Sequence, residues 1–258
     1  MNFLSDDDHS VVSPRETVRA FADSKGITPE DLFLESLALI TFTSLDQRSL
    51  IGEGRRAKKI GAWSNRSNQI YRGDGWVAVQ SPYGAPNTVM LLEELIAFGV
   101  KRAVYIGFCG SIQKTVQIGN IVIPTEAIRE EGTSYHYLRE GERSMPDLIL
   151  QNQLFFWMKD VCPMIHMGKV WTTDAPYRET PKKIVQYHRE GILGVEMEMS
   201  AAFAIGMVRG ISIGSILIVS DEIREAEWNI GFFSPTLKAT RERVIKGLLT
   251  HLKEMIPN

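Results

Sequence analysis

Residues 76–107 read WVAVQSPYGAPNTVMLLEELIAFGVKRAVYIG, and the order of signals along them decides the fold. Trp76-Val-Ala-Val-Gln80 is short, apolar and rich in β-branched side chains, as a buried strand is. Ser81-Pro82-Tyr83-Gly84 carries turn residues. Pro86 then stands where a first helical residue belongs, its fixed φ already suited to the helix. Val89, Leu92, Leu95 and Ile96 recur at helical spacing, and Gly99 supplies the stop. From Arg102 to Gly107 the chain returns to strand character. Strand, helix and strand of these lengths predict a βαβ unit, hence a parallel pair joined by a right-handed crossover.

The same logic extends outward. Residues 37–43, LALITFT, suit a buried strand. Residues 194–197 end another strand, a helix runs to about Arg209 with Gly210 as its stop, and residues 213–219 form the next strand. Residues 235–255 read as one amphipathic helix. Alternating elements with apolar strands predict a three-layer α/β/α fold around a central mixed, largely parallel sheet. No repeat, low-complexity stretch or long linker divides the chain, so residues 1–258 are expected to form a single domain, with 1–14 as an acidic N-terminal arm.

With 258 residues, 44% of them hydrophobic, the chain has enough apolar material for a sizeable core. A net charge of -2 gives no electrostatic footprint for nucleic acid. No apolar run approaches the roughly 20 residues of a membrane span, and Asp6-Asp7-Asp8 is unlike a secretory signal. Cys109 and Cys162 form no disulfide framework, and the five histidines have no metal-ligand spacing. These features predict a cytoplasmic protein without a metal, acting on a small molecule.

In such folds the site lies at the carboxyl ends of the strands. Glu196-Met197-Glu198 leads into a helix, and in extended backbone alternate side chains share a face, so both carboxylates can meet one pocket. Paired carboxylates suit a sugar diol; the same spacing also fits a Glu198 that merely opens the helix and favours its dipole. Asp221 ends an apolar run, where partial desolvation raises a carboxyl's pKa and suits general acid duty; an N-cap of a following helix fits it equally. Gly107-Phe108-Cys109-Gly110-Ser111 is a small-residue turn that lets backbone approach a planar ligand or an anion. Cys109 reads as an apolar wall rather than a nucleophile.

Taken together, five ordered blocks resemble the nucleoside phosphorylase and uridine phosphorylase superfamily: residues 94–110 (ELIAFGVKRAVYIGFCG), 116–124 (VQIGNIVIP), 131–136 (EGTSYH), 194–198 (GVEME) and 218–221 (IVSD). The resemblance implies cleavage of an N-glycosidic bond, a pentosyl transfer of purine salvage, with phosphate as co-substrate and no other cofactor. It implies that Glu198 holds the ribose hydroxyls, that Met197 packs against the sugar, and that Val195, Glu196, Cys109 and Gly110 line the base. Asp221 matches the aspartate that protonates the leaving base in purine-specific members, whereas the glutamine–arginine pair used for uracil is absent from residues 175–179 (APYRE), so purine is favoured. His9 matches an early histidine that reaches a neighbour's ribose, and a homodimer or hexamer is implied.

The anion site departs from the family pattern. The first-strand turn, residues 43–48 (TSLDQR), lacks a glycine but ends in Arg48. Tyr105 stands in place of the phosphate arginine and Phe108 in place of a hydroxyl residue. One register makes Arg48 a phosphate ligand beside Gly84. The other makes Asp46 a base that activates water, as in the hydrolytic nucleosidases. Arg66 or Arg72 restoring the anion site is a further option, and a non-catalytic nucleoside-binding module, with Tyr105 and Phe108 stacking on the ligand, is the third reading.

Overall fold

The computed structural model describes residues 3–5, 10–28, 32–52, 57–60, 70–225 and 227–257. Strand β1 (Leu37–Thr41) is buried along its whole length, with β4 (Trp76–Gln80) on one side and β5 (Arg102–Ser111) on the other, both parallel to it. The expected strand–helix–strand unit is present as β4, α3 (Ala85–Ala97) and β5. Its strands are parallel but not adjacent, because β1 lies between them. An entirely apolar strand such as Leu37-Ala-Leu-Ile gains most from cover on both faces, which is the central place. Beyond β4, β3 (Ile70–Arg72) and β2 (Lys58–Ile60) continue the sheet antiparallel.

On the other side the sheet closes on itself. β5 runs past its expected end to Ser111 and pairs in parallel with β9 (Ser212–Ile223). β9 also meets β6 (Ile121–Glu130) antiparallel, β6 pairs with β7 (Ile165–Thr173), and β7 with β8 (Gly194–Glu196). β8 returns antiparallel onto β5 at Gly110 and Ser111, completing a ring of five strands. Opposite Cys109 and Gly110 the register shifts, because Ser220 of β9 is an extra, unpaired residue that bends β9 where β8 joins β5. β10 (Trp228–Ile230) lies antiparallel on the end of β9.

Alternation along β1 divides the core into two faces. Ala38 and Ile40 pack with Val18 and Ala22 of α1 (Pro14–Asp23), with α3, and with Phe203 of α6 (Met199–Arg209). Leu37 and Leu39 pack with Leu50 of α2 (Ser44–Gly52), Leu154 of α4 (Leu148–Lys159) and Val244 of α7 (Pro235–Thr250). The third cluster joins Ile184 of α5 (Pro181–Arg189) to Trp171 of β7 and Val195 of β8. The three-layer expectation therefore holds, and Gly210 ends α6 in the left-handed conformation, φ +67°. The C-terminal helix is not continuous. His251 leaves it to stack on Trp157 at 5.0 Å, and α8 (Leu252–Met255) follows. Among the described residues no helix is long and apolar enough to cross a membrane.

Candidate active site

The parallel strands β1, β4, β5 and β9 open at their carboxyl ends onto one cavity of about 790 Å³, and β8 delivers residues 196–198 into it from the opposite direction. Cys109, Gly110, Val195, Glu196, Met197, Glu198 and Asp221 all line it, so the sequence-derived sugar and base residues come together.

The two glutamates divide their work. Glu196 Oε2 accepts from the amides of Glu198 and Met199, both at 2.7 Å, and Oε1 accepts from the Thr172 hydroxyl. Glu196 thus caps the open amides at the start of α6. That leaves Glu198 free of the helix-opening role it might have had from spacing alone: it makes no side-chain cap and instead accepts from the Gly84 amide at 2.7 Å. Gly84 reaches that position with φ +91°, a conformation costly to any side chain. Its amide is therefore committed to Glu198, which corrects the expectation that Gly84 serves an anion. Burial, and then the neighbouring charge of Glu196, push the Glu198 carboxyl well above the usual range, against the amides of Gly84 and Met197. Burial also raises Glu196, but its three hydrogen bonds favour the charged form, so Glu196 is the member that carries the negative charge.

Asp221 is buried and held at both oxygens. The Ser220 hydroxyl donates to Oδ1 and the Trp228 indole to Oδ2, each at 2.7 Å. No helix follows, because β9 continues to Ile223, so the N-cap reading of Asp221 is overturned. A Cβ on Gly110 would stand 3.0 Å from Asp221 Oδ2 and 2.7 Å from Ile223, which explains glycine opposite the bulge of β9. The Cys109 thiol is pushed well up by burial, then by the Asp221 and Glu196 carboxylates, in keeping with a wall rather than a nucleophile.

Several lining residues escaped the sequence reading, Trp228 and Glu179 among them. Trp228 reaches Asp221 through the hairpin that pairs β10 with β9, a signal carried only by its position across from Ile223. Glu179, in the loop after β7, is pushed up to about 7 by burial and then by Asp221.

The anion end differs most from expectation. Tyr105 is fully buried and absent from the lining; its ring stacks on Phe42 at 5.9 Å, and Phe42 stacks on Tyr83 at 5.9 Å. Tyr105 therefore supports the floor and cannot stack on a ligand, whereas Phe108 does face the cavity. Arg48 is exposed on α2 and lies outside the lining. Asp46 is buried beside Arg241 of α7, with N···O 2.8 Å, and its other oxygen accepts from the Thr43 hydroxyl at 2.5 Å. Arg241 lines the cavity with its guanidinium 5.3 Å over the Phe108 ring. Arg72 pairs with Glu35 at 3.7 Å and does not line the cavity, while His9 and Arg66 fall outside the described residues. Among the described residues no group of three or more His, Cys, Asp or Glu is arranged around a metal position.

A ring of strands joined to a doubly covered sheet, with a carboxylate-lined cavity at the strand ends, defines the α/β class to which the chain is assigned. The phosphorylase superfamily model matches residues 39–253, and the chain belongs to that superfamily. It is 28% identical to a guanosine phosphorylase of Halorubrum lacusprofundi over 178 residues, 69% of this chain and 71% of the relative. Other relatives are matched over 58% to 74% of their own length. The fold is shared with a uridine phosphorylase of Vibrio fischeri ES114 (TM-score 0.74, 20% identity, 87% of this chain and 93% of that one). It is likewise shared with a purine nucleoside phosphorylase of Toxoplasma gondii solved with immucillin-H (TM-score 0.75, 21% identity, 85% and 90%).

Proposed function

We propose that the protein is a nucleoside phosphorylase that prefers purine nucleosides and yields free base and ribose 1-phosphate. The observation that carries this reading is the meeting of Glu198 and Asp221 in one cavity, each fixed by hydrogen bonds from elsewhere in the chain. Glu198 engages the ribose hydroxyls, where a protonated carboxyl accepts from one hydroxyl and donates to the other. Met197 covers the sugar, and Cys109, Gly110 and Val195 flank the base. As the N-glycosidic bond breaks, its electron pair moves onto the base, and Asp221 supplies a proton to N7. A pyrimidine has no such nitrogen, which favours purine. Phosphate adds to the ribosyl cation-like centre. Asp46 is a poor water-activating base, since Arg241 and Thr43 occupy both its oxygens. Cytoplasmic location and assembly as a homodimer or hexamer, with no cofactor beyond phosphate, complete the proposal.

The test is base release from inosine, adenosine, methylthioadenosine and uridine, each with and without phosphate. Phosphate-dependent release from a purine nucleoside, with ribose 1-phosphate as product, is expected. Free ribose formed at the same rate without phosphate would overturn phosphorolysis, and uridine as the best substrate would overturn the purine preference.

A further inference from the structure

Four carboxylates line the cavity, Glu179, Glu196, Glu198 and Asp221, and among the described lining residues Arg241 is the one cation. It arrives from α7, an element that no reading of the strand ends draws into the site. Its guanidinium is fixed at two of its nitrogens and on one face. Nε and Nη2 both reach Asp46 Oδ1, at 2.9 and 2.8 Å, and Nη2 also donates to the Thr43 hydroxyl at 3.2 Å. Phe108 covers one face of the plane. A guanidinium has five N–H donors. Here Nη1, with two of them, has no hydrogen-bond partner among the described residues, although the Arg241 side chain is only 17% exposed. Asp46 and Thr43 act as a bracket: they hold the fork, and the uncommitted edge remains for a ligand in the cavity.

We infer that Arg241 is the phosphate ligand of this chain, a cation supplied by α7 in place of the one missing where Tyr105 stands. The inference rests on the phosphorolytic reading above and names its anion site. The two Nη1 donors of a guanidinium already held in place can meet the oxygens of a tetrahedral oxyanion, and little ordering remains to be done on binding. Asp46 tempers the site, since its charge opposes the incoming anion. Phosphate affinity is thus set by the balance of the pair rather than by Arg241 alone.

The experiment is equilibrium binding of inorganic phosphate by calorimetry, with hypoxanthine binding as the control for an intact site. Removing Arg241 alone would strand a buried carboxylate, so the double variant Asp46→Asn/Arg241→Gln is used to lose both charges together. It should bind phosphate at least tenfold more weakly than the wild type and hypoxanthine equally well. Arg241→Lys, which keeps the charge without the fork, should fall between them, and Asp46→Asn alone should bind phosphate several-fold more tightly. Wild-type phosphate affinity in a double variant that still binds hypoxanthine would overturn the assignment of Arg241 and leave phosphorolysis standing. A wild-type protein that binds no phosphate, yet releases base from nucleosides, would overturn both.

Discussion

Glu198 sits in a cavity wall where its neighbour Glu196 already carries negative charge, so a ribose hydroxyl is its natural partner. Replacing Glu198 by alanine removes a hydrogen-bonding partner worth on the order of 1.5 kcal/mol. Riboside affinity should drop roughly tenfold or more, measured by calorimetry against the free base, whose affinity should not change. Equal loss for both ligands would mean that the variant disturbs the whole cavity. Asp221 has a different signature. As a general acid it contributes about 10²-fold or more to rate, so Asp221→Asn should lower kcat by that order with little change in ligand affinity. Trp228→Phe, which deletes the indole donor 2.7 Å from Asp221, should lower kcat to a smaller extent and displace the acidic or basic limb of its pH profile. An unchanged profile would restrict Trp228 to packing.

At the scale of elements, the bulge at Ser220 of β9 and the start of α6 do most of the positioning. Gly110→Ala would press a methyl group against Ile223 and Asp221, an overpacking that costs about 1–3 kcal/mol. Turnover should fall more than thermal stability, and a variant with full kcat would show that Ile223 yields without moving Asp221. The strand and helix that carry these residues were legible in the sequence because their signals are local: an apolar run, a glycine stop, a carboxylate pair beside a helix start. The choice between Asp46 and Arg48 was not legible. Two residues apart on a helix they differ by about 200°, so one had to face inward, yet without the axis of α2 either fits. Arg241 was still further from reach, because it meets Asp46 across 195 positions and reads, on an amphipathic helix, as an ordinary polar residue. The apparent adjacency of β4 and β5 failed for a related reason, since sequence order does not say which strand inserts between them.

For the molecule as a whole, buried carboxyls couple stability to pH. Glu179 has a folded value near 7 against an ordinary 4.5. The unfolded chain therefore gives up this proton first. Glu179 imposes no penalty below about pH 4.5, and stability is lost as pH rises from there to about 7, with no further loss above. Melting temperature in the wild type should decline across that window more than in Glu179→Gln, and parallel curves would show that Glu179 keeps an ordinary pKa in the folded protein.

The five-strand ring has its own consequence for how copies of this chain can meet. A strand whose two sides are both paired offers no free edge, so the ring withdraws most of the sheet from pairing with other chains. Among the described strands, those with a single neighbouring strand are β10 and β2, three residues each and at opposite ends of the strand order. Edges that short template added strands poorly. Association between copies then has to run through helices and loops, side by side, leaving each sheet complete within its own chain.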